Sequence, residues 1–385
     1  MTGQPARPRV YLDHNATAPL RPEARAAALA AMDLASNPSS IHAEGRRARA
    51  LVEDARARVA ALAGADRSGV VFTSGATEAA AFALAPDLAR DGRRGFARLL
   101  VSATEHAAVL AGHRFPAAAV TVLPVSGDGL LDRDALRTAL AAGAPALVAL
   151  QAANNETGVL QPVDEVAAEV HAAGGALVCD AVQAAGRIDC RALGADVLLL
   201  SGHKLGGLAG AGAAVATHAG LGWAGPVLQG GGQERGHRSG TEAVVALAAF
   251  GAAAAAAAGD PMSPALRDGF ETALLGLAPD AAIFGRAAPR LPNTCAFAVP
   301  GVAAERLLMA LDLDGIAVSS GSACASGKVG RSHVLDAMKV KTDFTSGAIR
   351  VSFGWDSAVA DVERLVHALG TALHRMRGGR LRAAA

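Results

Sequence analysis

Aromatic side chains make up only 3% of this 385-residue chain, with one tyrosine and two tryptophans. A set that sparse argues against the stacking platforms on which single-stranded nucleic acids bind. Charge of one sign is missing as well. The formal net charge is +1, which gives no reason to expect nucleic acid or an acidic partner surface. The four cysteines, Cys179, Cys190, Cys295 and Cys324, show no paired CxxC spacing. They read as free thiols in a reducing compartment and exclude a cysteine-built zinc site or a disulfide framework. The uncharged run 243–259 is dominated by alanine and falls short of the roughly 20 apolar residues that span a bilayer. It reads as a buried or domain-linking helix. Met1 to Arg9 lacks the apolar core of a secretory signal, so a soluble, cytoplasmic protein is expected, with no membrane partner and no metal. Neither GxGxxG nor GK[ST] occurs at a strand–helix turn, which lowers the reading of a nicotinamide or ATP enzyme.

What the chain does have is apolar material: 51% of its residues are hydrophobic, enough for a large core in one very large or two ordinary domains. Short apolar runs alternate with helix-like segments. Val10 to Leu12 reads as a strand, Pro22 to Met32 as a helix with proline at its start, and Ala43 to Ala63 as a long helix stopped by Gly64, with arginines along its outer face. Further strands are expected at Val70 to Phe72, Arg98 to Ala103, Ala144 to Leu150, Gly175 to Asp180 and Asp196 to Leu200, with a helix over Pro162 to Ala173. Strands interleaved with helices predict an α/β fold with a mostly parallel, doubly wound sheet, its site along one edge. Past Pro261 the pattern becomes α+β. Arg290 to Val299, Ile316 to Val318 and Ala348 to Phe353 read as strands, with helices at Ala303 to Asp312 and Val359 to Arg375. The expected division is a large domain over 14–260 and a smaller one built from 1–13 and 261–385, whose basic end reads as frayed.

The chemistry gathers at strand ends. Ser201-Gly-His-Lys204 follows a buried strand, and Asp180 closes another one 24 residues upstream. A lone lysine in a loop is usually a surface lysine. A lysine and an acid at the ends of neighbouring strands, however, are what pyridoxal 5′-phosphate requires: an amine for its aldehyde carbon and a carboxylate for its ring nitrogen. Thr73-Ser-Gly-Ala-Thr-Glu78 has the strand–turn–helix form of a phosphate cradle, where N–H groups and the helix dipole converge. By itself it is weak, because many such turns look alike. His106 falls at the same sheet edge, placing it over the cofactor ring or in proton transfer rather than as an ordinary strand-end histidine. The glycine-dense segment 230–241 carries Glu, two Arg and His, which suits a folded loop near a phosphate or an interface better than a linker. Cys179, Cys190 and Cys295 sit in or beside apolar segments and read as buried. Cys324 stands in Ser319-Ser-Gly-Ser-Ala-Cys324-Ala-Ser-Gly, where a thiol can ionise near its usual pKa of about 8.5 or below. It is the candidate nucleophile.

With these pieces in order, the chain resembles the NifS/IscS type of cysteine desulfurase, class V members of the fold-type I pyridoxal-phosphate enzymes. The resemblance runs nearly end to end. It is carried by Tyr11-Leu-Asp with Asn15-Ala-Thr17, Asn37-Pro-Ser-Ser-Ile-His42, Phe72-Thr-Ser-Gly-Ala-Thr-Glu78, Thr104-Glu-His106, Asn154-Asn-Glu156, Asp180-Ala-Val-Gln183, Ser201-Gly-His-Lys204, Arg238-Ser-Gly-Thr241 and Ser319-Ser-Gly-Ser-Ala-Cys324. Departures are small: His14 stands where relatives usually carry Asn, Tyr or Ser, and Gly327 to His333 is more basic than expected.

The resemblance implies that Lys204 holds the cofactor covalently, Asp180 pairs with its ring nitrogen, His106 stacks on the ring and Gln183 bonds its phenolic oxygen. It implies a phosphate held by Ala76, Thr77, Ser201 and His203, with Thr241 reaching in from the partner subunit of a homodimer. Asn155 and Arg350 would bind the substrate carboxylate with Asn37 nearby, and Cys324 would take the sulfur of L-cysteine as a persulfide. A sulfur-acceptor protein, such as an iron–sulfur scaffold, would receive it. Selenocysteine lyase and small-amino-acid aminotransferase are the alternative activities, and a non-catalytic scaffold on the same fold is the alternative of another class.

Overall fold

In a computed structural model of the protein, residues 9–34, 37–259, 262–320, 331–341, 344 and 348–377 are described. The apolar runs become strands β1 (Val70–Thr73), β2 (Leu99–Ser102), β3 (Val120–Leu123), β4 (Leu147–Gln151), β5 (Ala176–Asp180), β6 (Val197–Ser201) and β7 (Gly212–Ala216). They form a seven-stranded sheet in the order β1–β7–β6–β5–β4–β2–β3. Strand β7 runs against both its neighbours, while the pairs from β6 to β3 are parallel. The mostly parallel α/β sheet expected from the sequence is present.

Every residue of β1, β2, β4 and β6 is buried. These strands read as unbroken apolar runs because both faces of the sheet are covered. The alternation still governs which face each residue serves. Val70, Phe72, Leu198 and Leu200 join one core with the helices Ala43–Ala63 and Val244–Ala258. Val71, Val197 and Leu199 join another with Ala76–Ala83. The alanine-rich run is thus a buried helix. It approaches Ala43–Ala63 so closely that a Cβ on Gly251 would stand 2.5 Å from the Cα of Ala55. Gly64 ends the helix Ala43–Ala63 at φ 67, its N–H donating to the Ala60 and Ala61 carbonyls, as a left-handed cap should.

One expectation fails on that helix. Arg56 is not on the outer face. It is 5% exposed, its guanidinium forks onto Glu234 at 2.8 and 2.7 Å, and it donates to the Val70 carbonyl. Glu234 in turn accepts the Phe72 N–H at 2.8 Å. The glycine-dense segment is therefore folded and pinned to β1 by a buried, bidentate ion pair.

The C-terminal part builds a four-stranded antiparallel sheet in the order Ala282–Ile283, Thr294–Ala298, Ile349–Ser352, Ser319–Ser320. Helices Ala265–Leu277, Ala304–Leu313 and Val359–Met376 accompany it. Val10–Tyr11 pairs in parallel with Ile316–Ala317. Val10 and Leu12 share a core with Phe270, Phe297 and Phe353, where the phenylalanines meet edge to face. Three of the chain's few aromatics thus give this small core its large side chains. Among the described residues, no helix is long and apolar enough to cross a membrane.

Candidate active site

Parallel strands that end together deliver their last side chains to one edge. In register, Gln151 of β4 lies beside Asp180 of β5, and Asp180 beside Leu199 of β6, two residues before Ser201. The chain then breaks into the short turn Gly202–Lys204. A cavity of about 260 Å3 opens there, lined by Ala76, Thr77, His106, Asn155, Asp180, Gln183, Ser201, His203 and Lys204 among others. Nine residues expected at a site from the sequence thus meet in one place. Two of them, Asp180 and Lys204, come from adjacent strand ends.

Lys204 is held from across the cavity by the loop after Val10–Tyr11. Its Nζ donates to the carbonyls of Asn15 at 2.7 Å and Ala16 at 2.8 Å. The Nε2 of Gln183 donates to the same Asn15 carbonyl at 3.0 Å. Burial pushes the Asp180 carboxyl above its ordinary range, against the pull of the Val182 N–H, His106 and Lys204. The Nδ1 of His106 accepts the Ala108 N–H at 3.1 Å, capping the turn Ala107–Leu110. That bond fixes Nδ1 as an acceptor and the ring's setting. His203 shares a hydrogen bond of 3.0 Å with the Thr17 hydroxyl. Burial and then the Lys204 charge lower its pKa to about 4, so the imidazole is neutral at pH 7.

The turn Ser74–Thr77 opens on the cavity at the start of Ala76–Ala83. Glu78 braces it, accepting the Ser74 N–H at 2.8 Å and an Arg238 donor at 2.9 Å. Strand β7 comes close behind: a Cβ on Gly212 would stand 2.6 Å from the Cα of Gly75. Gly212→Ala is expected to cost about 1–3 kcal/mol, as overpacking in a filled core does, and to push the turn into the cavity. Urea unfolding of the apoprotein and phosphate-ester binding check it. Unchanged binding would show that the turn is not shaped by this contact.

Three expected residues stand elsewhere, and a fourth lies outside the described residues. Arg350 is 1% exposed and does not line the cavity. Its guanidinium donates to Asp13 at 2.7 Å and to the Asn155 carbonyl at 3.0 Å, and its buried Nε has no partner among the described residues. Asn37 is exposed and accepts the Ser39 N–H. Thr241 is exposed, outside the cavity of its own chain. Cys324, the neighbouring basic stretch to Gly330, and the basic tail from Gly378 lie outside the described residues. Cys179, Cys190 and Cys295 are buried. Burial pushes all three thiols up, Cys190 to about 12.

The sequence reading missed the neighbours that hold this site. Glu105 is 0% exposed, accepts the Gln151 N–H and has an Oε2 without a partner among the described residues. Burial and the nearby Asp180 raise its pKa well above the carboxylate range. Glu156 accepts the Ser332 hydroxyl at 2.6 Å, while burial lifts its pKa to about 7. His14 is buried against Gly354, where a Cβ would stand 1.7 Å from its Nδ1, and its Nε2 lies 3.2 Å from Asp356. The one signal available was position, since Glu105 and Glu156 adjoin His106 and Asn155.

The family model for aminotransferase class-V matches residues 10–365. A cysteine desulfurase of Cereibacter sphaeroides is 43% identical over 380 residues, covering 96% of this chain and 97% of that one. One of Trichormus azollae is 37% identical, covering 96% and 94%. Among solved structures, a NifS-like protein from Rickettsia africae ESF-5 is similar with a TM-score of 0.83. It is 32% identical across 96% of this chain and 99% of its own.

Proposed function

Because the chain belongs to the aminotransferase class-V family, we propose that it is a pyridoxal 5′-phosphate-dependent cysteine desulfurase that converts L-cysteine to L-alanine and carries the sulfur away on its own thiol. The observation that carries this reading is the joint presence of Lys204, Asp180 and the Ser74–Thr77 turn around one cavity.

The residues present fit the cofactor. A carboxyl that burial drives toward its neutral form is a seat for a cationic ring nitrogen, whose charge would restore the carboxylate. Gly75 would meet nothing within 4 Å of an added Cβ, so the turn leaves open space beside the first N–H groups of a helix, suited to a phosphate. Ala76, Thr77, Ser201 and the neutral His203 would hold that phosphate, His106 the ring face and Gln183 the ring oxygen. When bound, the cofactor supplies an electron sink joined to the substrate amino group.

The chain's own residues do the rest. Asp180 would keep the ring nitrogen protonated. Lys204 Nζ, poised between two carbonyl acceptors, would hold the cofactor and then move the substrate α-proton. Asn155 and Arg350, with Asn37 nearby, bind the carboxylate, for which a guanidinium fork is matched. The Sγ of Cys324 bonds to the substrate sulfur as the carbon–sulfur bond breaks, and that bond's electron pair stays with the three-carbon skeleton that leaves as alanine. Incubation with L-cysteine, the cofactor and a thiol reductant is expected to give alanine and sulfide in equal amounts. Sulfide without alanine would overturn the reading.

The enzyme works as a cytoplasmic homodimer and passes its sulfur to a protein acceptor such as an iron–sulfur scaffold. Its large domain spans 14–260 and its small domain 1–13 with 261–385. The shared core of Val10, Leu12 and Phe270 supports that division. An exposed Thr241 on a pinned loop supports the dimer, because it is available to a neighbouring phosphate. Thr241→Ala mixed with Lys204→Ala is expected to regain activity through hybrids that carry one intact composite site. Hybrids that form without regain would place Thr241 in its own chain's chemistry.

A further inference from the structure

Three arginines shielded from solvent find a carboxylate: Arg56 with Glu234, Arg290 with Glu271 and Arg350 with Asp13. Arg187, only part-buried, does not. Among the described residues no acid pairs with it, and burial of its surroundings with the charge of Arg350 lowers its pKa to about 10. A partly desolvated guanidinium without a counter-charge needs other acceptors. Its partners are instead both on Gln183: Nη1 donates to the backbone carbonyl at 2.9 Å and to the side-chain Oε1.

The two ends of a glutamine amide differ chemically but not in shape, so its orientation is decided by its partners. Arginine has five donors and no acceptor. The atom of Gln183 that faces Arg187 must therefore be the carbonyl oxygen. The NH2 end is left on the opposite side, where it donates to the Asn15 carbonyl at 3.0 Å. One of its two hydrogens is used there, and the second remains for a group in the cavity that Gln183 lines.

We propose that Arg187 is a positioning residue that locks the Gln183 amide with its NH2 toward the cavity, so that the site presents a donor, and never an acceptor, to the anionic oxygen of the cofactor ring. The inference rests on the reading of Gln183 as a cofactor ligand. A purely structural Arg187 would do no more than tie down the turn through the Gln183 backbone carbonyl.

The test compares wild type, Gln183→Ala, Arg187→Met, the double variant and Arg187→Lys. Three quantities are read: the dissociation constant for pyridoxal 5′-phosphate, the pH midpoint of its visible band, and the melting temperature of the apoprotein. Arg187→Met is expected to weaken cofactor binding about tenfold, the size of one hydrogen bond to a charged group. It should raise the midpoint by about one unit, because losing a donor to an anionic oxygen favours its protonated form. Gln183→Ala should shift both readings the same way and the double variant no further, since the two residues act as one unit. Arg187→Lys, which keeps a donor, should restore most of both. If Arg187→Met does not fold, Arg187→Leu gives the same donor-free comparison. Additive effects, or a lower melting temperature with binding and midpoint unchanged, would overturn the role of Arg187 and leave Gln183 standing. An unaffected Gln183→Ala would remove the ligand reading of Gln183 and this inference with it.

Discussion

Lys204→Ala is expected to leave the protein folded but without its covalently held chromophore, and to lower L-cysteine turnover on the order of 10⁴-fold, as removal of a nucleophile does. Stability should change little. The lysine donates to the Asn15 and Ala16 carbonyls, and net hydrogen bonds contribute about 1 kcal/mol each. The position can be tested directly because the chain holds four lysines: Lys204, Lys328, Lys339 and Lys341. Borohydride should fix a pyridoxyl group on Lys204, read by peptide mass. A mark on any of the other three would show that the cavity described here is not the cofactor site. Turnover by the alanine variant within tenfold of wild type would do the same.

The second large effect concerns the thiol. Cys324→Ala is expected to bind cofactor and L-cysteine as wild type does, with the same spectral response to substrate. Its sulfide release and protein-bound persulfide should fall on the order of 10²-fold or more. The reason is division of labour: Lys204 and its surroundings would act before sulfur leaves, and the thiol in the step that removes it. A Gly/Ser-rich setting makes the stability cost small, within about 0.5 kcal/mol as for most surface changes. Cys179→Ala, Cys190→Ala and Cys295→Ala should keep their activity apart from any folding loss. Burial holds those thiols protonated, Cys190 to about 12, and the thiolate is the nucleophile. The same variant separates the related reactions. A selenocysteine lyase would still release selenium without Cys324, and an aminotransferase would make keto acid with or without it. Wild-type sulfide release from Cys324→Ala would sink the mechanism.

Much of the cavity was legible because its parts announce themselves locally. An apolar run that stops at Asp180 or Ser201 is a buried strand meeting a polar edge, and strands that alternate with helices end on the same side. The glycine at 64 and the proline at 22 mark helix ends through backbone geometry alone. Arg56 shows the limit. Its spacing on a charged helix says solvent, and it is buried because Glu234, 178 residues later, meets it there.

The sequence by itself determined the order of strands and helices, the strand-end placement of Asp180 and Lys204, and the class of chemistry, since each rests on residue type and near neighbours. Only the tertiary structure decided which backbone carbonyls receive Lys204, that Arg350 leans on Asp13 at a separation of 337 residues, that Ser332 reaches Glu156, and that Arg187 faces Gln183 with no acid paired to it among the described residues. The first three join parts far apart in the chain. Closing such loops depends on how whole layers pack, which no local spacing encodes. The fourth spans four residues, yet it too was hidden, because the absence of a carboxylate becomes visible only when every other element has taken its place.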